Sequence, residues 1–140
     1  MFQKQGTTIG AITQTNANTI SYNTTSDYRL KTDLKSYSGL DILKKIKTYD
    51  FAWKSDGTRM YGVMAHELQS VLPYAVSGKK DEMDSVGKIL PQAVDYSKLT
   101  PVLVKAIQEL EEQLQSFREK LENQKKELEI LKKYRTKKRN

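Results

Sequence analysis

Cysteine is absent from the 140-residue chain. This absence excludes disulfide bonds, thiolate metal sites and cysteine nucleophiles. No apolar run approaches the roughly 18 residues that a membrane-spanning helix requires, and no signal-peptide pattern opens the chain. We therefore expect no membrane partner.

Motifs for metals and cofactors are also missing. No phosphate loop, dinucleotide fingerprint or zinc-ligand spacing occurs, and His66 is the single histidine. A lone histidine on a short predicted helix is most often a surface or capping residue. The acidic pairs Asp81-Glu82 and Glu111-Glu112 are typical of solvated charge. The sequence therefore predicts neither a metal nor a cofactor.

The positive charge is concentrated at one end. Of a net charge of +7, six positive charges lie between Lys132 and Arg139, which leaves only +1 for the rest of the chain. We interpret residues 134–140 as a solvated basic tail. Nucleic-acid binding through Arg135–Arg139 is the less favoured alternative, and it would require steep salt dependence.

The most regular pattern is a heptad repeat near the C-terminus. Apolar residues step by four and three from Leu103 onward, with one polar exception at Gln124, and charged residues flank them. An average spacing of 3.5 keeps one stripe facing partner helices along the whole length. This seam consists of Leu103, Ile107, Leu110, Leu114, Phe117, Leu121, Gln124, Leu128 and Leu131.

We expect the seam to form a coiled coil over residues 98–133, in a helix that runs from Pro101 to about Lys133. Pro101 suits the first helical turn, and Thr100 or the earlier Ser97 could cap it. Wide Phe117 and polar Gln124 at d positions favour three strands, and hence a homotrimer. The simpler alternative is an amphipathic helix that lies on its own domain.

Residues 1–25 differ from the rest in composition. They are rich in Thr, Asn and Gly, and two short strands, Ile9–Thr13 and Thr19–Tyr22, fit around a turn at Asn16–Asn18. This stretch is too polar to bury a core of its own. We interpret it as the end of a larger β-structure and Met1 as the start of a fragment.

Residues 26–97 predict a small α+β domain, so the whole chain reads as a mixed helix/strand domain followed by a long C-terminal helix. Its core is marginal for an isolated domain, so association through the helix is expected to add stability. The predicted elements are a helix at Leu40–Lys47, a hairpin of Tyr49–Lys54 and Met60–Met64, a helix at Ala65–Leu72 that ends at Pro73, a polar loop at 77–88 and a strand at Ile89–Val94.

Ser26 and Lys31 are candidates for nucleophilic chemistry, because a lysine that loses its proton can activate a serine hydroxyl. Spacing alone supports this weakly. Residues five apart point to opposite sides of a strand and to different sides of a helix, so a turn must bring them together. Without other information, Ser26-Asp27 indicates only the start of a turn.

A family resemblance strengthens this hypothesis. Five motifs occur in order, and together they resemble the C-terminal intramolecular chaperone domain of phage tailspikes, tail fibres and neck appendages, the self-cleaving endosialidase type. The motifs are Ser26-Asp27-Tyr28-Arg29-Leu30-Lys31, Tyr61–Leu68, Leu72-Pro73, Val94–Pro101 and Ala106–Leu110.

The resemblance implies a homotrimer and a single-turnover serine autoprotease with a Ser26/Lys31 dyad. It places the scissile bond between Thr25 and Ser26, with Asp27 and Arg29 shaping the turn. His66 and Glu67 are supporting candidates, although many relatives have glutamine at the position of His66. Whether the dyad forms in one chain or between chains stays open.

The implied function is to trimerise and assist the folding of the preceding phage β-fibre segment, and then to leave by cleavage. This predicts action in the host cytoplasm during virion assembly and release from the mature virion protein. The alternative is a trimeric structural tip of a phage fibre with the same fold but without cleavage.

Overall fold

The computed structural model of this chain describes residues 2–4 and 7–138. These divide into two compact units, one ending at Ser36 and the other beginning at Tyr37. The Thr25–Ser26 bond, where the sequence predicts the boundary between client and chaperone, lies inside the first unit. That functional boundary stays a prediction.

The first unit is built on a three-stranded antiparallel sheet in the order β1-β2-β3. Its strands are β1 (Phe2–Lys4), β2 (Thr7–Asn16) and β3 (Thr19–Thr24). The predicted strand pair is therefore present but longer than expected, and β1 was missed. The backbone N–H of Asn18 donates to Asn16 Oδ1 at 2.9 Å, which stabilises the turn that the sequence predicts there.

The second unit mixes helices and strands. These are α1 (Gly39–Leu43), β4 (Tyr49–Ala52), β5 (Arg59–Gly62), α2 (Ala65–Val71), β6 (Val76–Ser77), β7 (Ala93–Val94) and α3 (Thr100–Lys137). Strands β4 and β5 form an antiparallel hairpin, and β6 pairs with β7. The mixed α+β class is confirmed. Some predicted bounds are wrong: the helix expected at Leu40–Lys47 ends at Leu43, and only Ala93–Val94 of the strand expected at Ile89–Val94 is extended and paired. Its partner strand β6 was not predicted.

The core of the second unit lies between α2 and the first turns of α3. Leu68, Leu72, Ala75 and Val102 form a buried cluster, and Ala106 is also buried. Because Val102 and Ala106 belong to α3, the long helix supplies part of the core.

Helix α3 spans 38 residues, or about 57 Å at 1.5 Å per residue. It extends one turn beyond the predicted end at Lys133, so part of the basic tail is helical, while Arg139 and Asn140 lie outside the described residues. The helix begins at Thr100, so Pro101, which was expected at the first helical position, is its second residue.

The predicted caps of α3 are wrong. The N-cap is Leu99, without a side-chain hydrogen bond, because a 3-10 turn at Tyr96–Leu99 runs straight into the helix. Asp95 caps that turn instead, accepting from the Ser97 backbone N–H at 3.0 Å.

Helix α1 docks on α3 through a glycine and a carboxylate. Glu109 accepts hydrogen bonds from Ser38 Oγ at 3.1 Å, the Gly39 N–H at 3.1 Å and the Leu40 N–H at 2.9 Å. These bonds, chiefly the one from Leu40, lower the pKa of Glu109. A Cβ at Gly39 would lie 2.4 Å from the backbone nitrogen of Ala106, so only glycine allows this close approach.

We expect Gly39→Ala to destabilise the second unit by about 1–3 kcal/mol, because the methyl group must push α1 away from α3. Chemical denaturation monitored by circular dichroism measures the loss. The control is Lys45→Ala, which removes an exposed side chain just after α1. Equal stability of the two variants would contradict the close approach.

Candidate active site

The backbone between Ser26 and Lys31 forms a single tight turn. It begins two residues after β3 ends at Thr24, and its centre is a 3-10 helix at Tyr28–Leu30. The Leu30 N–H donates to the Asp27 carbonyl and the Lys31 N–H to the Tyr28 carbonyl, both at 3.1 Å. The turn that the Ser/Lys hypothesis requires is thus present.

The turn brings the two candidate side chains into contact. Lys31 Nζ donates a hydrogen bond to Ser26 Oγ at 2.6 Å. Both residues belong to the same chain, and both are exposed to solvent. The geometry is that of a nucleophile beside a base, within the distance that proton transfer needs.

Asp27 and Arg29 hold this turn together. Asp27 Oδ1 accepts from the Arg29 backbone N–H at 2.9 Å and from Arg29 Nε at 3.0 Å, while Asp27 Oδ2 accepts from Arg29 Nη2 at 2.6 Å. One carboxylate therefore caps the 3-10 helix and binds the guanidinium through two oxygens. Such paired contacts fix geometry better than a single ion pair does.

These contacts also set the protonation of the pair. The Arg29 guanidinium, and then the Arg29 backbone N–H, hold the pKa of Asp27 below its ordinary value. Asp27 in turn raises the pKa of Arg29. Asp27 therefore stays a carboxylate around neutral pH and cannot act as a proton donor there.

His66 and Glu67 lie on α2, in the second unit. Glu67 accepts a hydrogen bond from the Tyr49 hydroxyl at 2.8 Å and from Lys47 Nζ at 3.3 Å, whereas His66 is exposed. The Tyr49 bond is the main cause of the lowered pKa of Glu67 and of the raised pKa of Tyr49. These contacts tie α2 to the start of β4 and to the residue two positions before it, so Glu67 stabilises the packing of α2 on the hairpin.

The seam residues share the outer face of α3. The eight apolar members are between 44% and 65% exposed, while Val102 and Ala106, on another face of the same helix, are buried. The stripe therefore does not cover the second unit, as the simpler alternative for this helix would require. It presents a continuous apolar surface that Gln124 interrupts once.

Sequence reasoning missed Glu109, whose contacts join residues about 70 positions apart. Glu109 lies in the Ala106–Leu110 motif, but nothing in that motif indicates which residues it contacts.

No group of three or more histidine and acidic side chains in residues 2–4 and 7–138 could hold a metal ion. Within the same residues, no helix has the length and apolar character to span a membrane.

Residues 26–77 match the Peptidase_S74 family, which is described as chaperone of endosialidase. The matched segment covers less than half of the chain. The family resemblance seen in the sequence is thereby confirmed, and the match begins at Ser26. The family name denotes a chaperone and a serine-type peptidase. No curated protein matches the chain.

The Asp27–Arg29 pair can be tested by titration. We expect the Asp27 carboxyl to titrate below its ordinary pKa, and Arg29→Gln to raise that pKa, because the charged partner is lost. Since the folded-state pKa is lowered, the stabilisation that Asp27 gives the turn is present above the ordinary pKa and is lost as the pH falls through the folded value.

Carboxyl-resolved nuclear magnetic resonance of the two proteins measures these values. The matched control is Lys35→Gln, which removes the cation of the neighbouring Asp33–Lys35 ion pair at 2.8 Å. An Asp27 pKa that responds equally to both substitutions, or to neither, would show that Arg29 is not its specific partner.

Proposed function

We propose that this chain is a self-releasing intramolecular chaperone of a phage β-fibre, tailspike or appendage protein, which cuts itself at the Thr25–Ser26 bond. The observation that carries the proposal is the 2.6 Å contact between Lys31 Nζ and Ser26 Oγ. That contact lies at the first residue of the segment that matches the chaperone-of-endosialidase family.

The chemistry begins with neutral Lys31. Its Nζ takes the hydroxyl proton of Ser26 as Oγ adds to the carbonyl carbon of Thr25. The tetrahedral intermediate then breaks its C–N bond, and the Lys31 ammonium returns the proton to the Ser26 nitrogen. This leaves an ester between Thr25 and Ser26 Oγ.

Hydrolysis completes the turnover. A water molecule gives a proton to Lys31 and adds to the ester carbonyl, and as the C–O bond to Ser26 breaks the Lys31 ammonium returns that proton to Ser26 Oγ. The products are a carboxylate at Thr25 and a new N-terminus at Ser26 with its hydroxyl restored. The client segment ends at Thr25, so each chain reacts once.

The charges around Lys31 suit a base. A carboxylate beside a lysine favours the ammonium form, which cannot accept a proton. In this segment Asp27 is paired with Arg29 and Asp33 with Lys35, and neither described ion pair includes Lys31. The neighbouring acids are thus engaged by other cations.

The geometry favours a dyad formed within one chain. Five residues and one 3-10 turn place Lys31 on Ser26 without help from another subunit. We therefore propose that Lys31 activates Ser26 of its own chain, a point that the sequence left open.

Trimerisation through α3 supplies the chaperone activity. Wide and polar seam residues at d positions, Phe117 and Gln124, favour three strands over two. A helix built from local contacts forms faster than an inter-chain β-fibre, and it holds three clients at high local concentration. We expect this to happen in the host cytoplasm during virion assembly.

Cleavage then makes the product hard to unfold. After cleavage the client retains residues 1–25 but has lost the helix that helped it to assemble. A client that unfolds therefore has no chaperone with which to refold. Its persistence depends on an unfolding barrier.

One observation favours the alternative, a non-cleaving trimeric tip of a phage fibre. Ser26 and Lys31 are both exposed to solvent, whereas removal of water is what suits a lysine to act as a base. The two functions differ in whether an assembled chain with a folded client stays whole.

We expect the full chain to yield a product that begins at Ser26, and Ser26→Ala and Lys31→Ala to stay whole because nucleophile or base is lost. Intact mass over time, with sedimentation of the same samples, measures both cleavage and assembly. Lys35→Ala is the control, since it removes an exposed lysine four residues further on. A wild-type chain that assembles but stays uncleaved would favour the non-cleaving trimeric tip of a phage fibre.

Mixed assemblies test whether the dyad forms within one chain. We expect co-expressed Ser26→Ala and Lys31→Ala chains to stay whole in joint trimers, because neither chain carries both groups. If the Lys31→Ala chain, which keeps Ser26, is cut in such mixtures, the lysine acts across subunits.

A further inference from the structure

An apolar groove borders the hairpin of β4 and β5. Phe51, Trp53 and Met60 line it from the hairpin, Val94 and Tyr96 line it from the chain that leads into α3, and its volume is about 770 Å³. Pockets of about 300–1,000 Å³ hold a drug-sized ligand, so this groove has room for several side chains. Among the described residues that line it, Lys54 is the single charged one. We call this space the β5 groove.

One edge of the hairpin has backbone groups that face away from its partner strand. The Trp53 N–H donates to the Thr58 carbonyl at 2.9 Å, so these two residues form a hydrogen-bonded pair. Such pairs alternate with non-hydrogen-bonded pairs along an antiparallel ladder, and Tyr61, opposite Asp50, belongs to the second kind. The N–H and carbonyl of Tyr61 therefore face the outer edge of β5. No turn, loop or cap within the described residues supplies a partner for them.

The two edges of the hairpin are protected differently. On β4, the Asp50 carbonyl accepts from Arg59 Nη2 at 3.4 Å, and the Asp50 carboxylate pairs with the same guanidinium at 3.1 Å. Charged side chains are a usual means of keeping other strands off a sheet edge. On β5, Arg59 is turned toward Asp50, and Tyr61 is 86% exposed. The β5 edge is thus accessible to another strand.

We propose that an extended, uncharged strand of the client pairs with the β5 edge and places alternate side chains in the β5 groove. This mode of recognition is β-augmentation, in which main-chain hydrogen bonds give affinity and pockets for every second side chain give specificity. The inference rests on the proposed function, and it gives the proposed chaperone a surface that holds its client.

The chemistry of the client segment matches this surface. Residues 7–25 contain no charged residue, so such a strand enters the groove without the cost of removing an ion from water. On β3, an edge strand of its sheet, Ile20 is 56% exposed and Tyr22 75%. Because these residues are two apart, both point to one face of the strand. A strand of this pattern can fill the groove with Ile20 and Tyr22 while its backbone pairs with β5.

This contact would protect the client while its sheet is incomplete. Unpaired strand edges make folding intermediates prone to aggregate, and a β-fibre exposes many of them. A strand held on β5 has its backbone paired until a strand of the client replaces β5.

The first test measures binding of a peptide with the sequence of residues 17–25. The protein is the full chain carrying Ser26→Ala, so that the binding measurement does not depend on self-cleavage. Trp53 is the single tryptophan, lines the groove and is 51% exposed, so its emission reports on occupancy. We expect saturable binding with a shift of Trp53 emission to shorter wavelength.

Two variant peptides test which face of the strand enters the groove. We expect Ile20→Lys to weaken binding at least about tenfold, because the lysine must be buried among apolar side chains. The matched control is Ser21→Lys, which adds the same charge on the opposite face of the strand and should bind like the parent peptide.

Backbone pairing is tested on the peptide, where no protein can misfold. One peptide is N-methylated at Ile20 and Tyr22 and another at Ser21 and Asn23. Since only every second N–H of an added strand faces β5, we expect one of the two to lose binding about tenfold and the other to keep it. In the protein, Tyr61→Pro removes an N–H that faces away from β4, and it should weaken binding to a similar extent.

The outcomes separate this inference from the proposed function. A peptide that does not bind, or that binds without shifting Trp53 emission, overturns the inference and leaves self-cleavage untouched. Equal binding of the two lysine peptides or of the two methylated peptides also overturns it. If Tyr61→Pro lowers the assembly state in sedimentation, the β5 edge pairs with a second copy and the inference is wrong. If the peptides behave as expected but the wild type stays uncleaved, the strand site stands and self-cleavage fails.

Discussion

The carboxylate of Asp27 and the guanidinium of Arg29 close the turn on which the site depends. With Oδ1 on the Arg29 backbone and both oxygens on its side chain, Asp27 fixes a 3-10 helix that no apolar packing supports. Residues five apart would otherwise diverge. The contact between Lys31 and Ser26 is thus a consequence of a polar clamp on an exposed segment.

The long helix serves two surfaces at once. On one face Val102 and Ala106 complete the core and Glu109 holds the start of α1; on another the seam stays open to solvent. A small domain with few buried side chains gains stability from such a helix. The same helix leaves an apolar stripe that is stable only when another helix covers it.

Periodicity predicted the elements well, because it reflects burial on one face. The β2–β3 pair, the β4–β5 hairpin, the helix before Pro73 and the long helix appear close to where the pattern indicates, whereas the short β6–β7 pair was not predicted. Helix caps were predicted less reliably. Thr100 and Ser97 were expected to cap the long helix, but Asp95 caps a 3-10 turn that hydrophobic periodicity does not reveal. The contacts of Glu109 and Glu67 escaped prediction since their partners are far away in sequence.

The prediction of the candidate site from the sequence was limited in a different way. Spacing argued against a Ser26–Lys31 pair, and only the resemblance of the whole hexad made it credible. The structure explains the difference, because the three-residue 3-10 helix at Tyr28–Leu30 is too short to leave a periodic signal.

The central claim is that Ser26 attacks the Thr25 carbonyl, and a trapped ester tests it most directly. Assembled wild-type chain is incubated with hydroxylamine, and the N-terminal fragment is analysed by mass spectrometry. The account predicts a hydroxamate on Thr25 in the wild type and none in Ser26→Ala. A wild-type chain that is cut between Thr25 and Ser26 without any hydroxamate, or a hydroxamate on another residue, would contradict it.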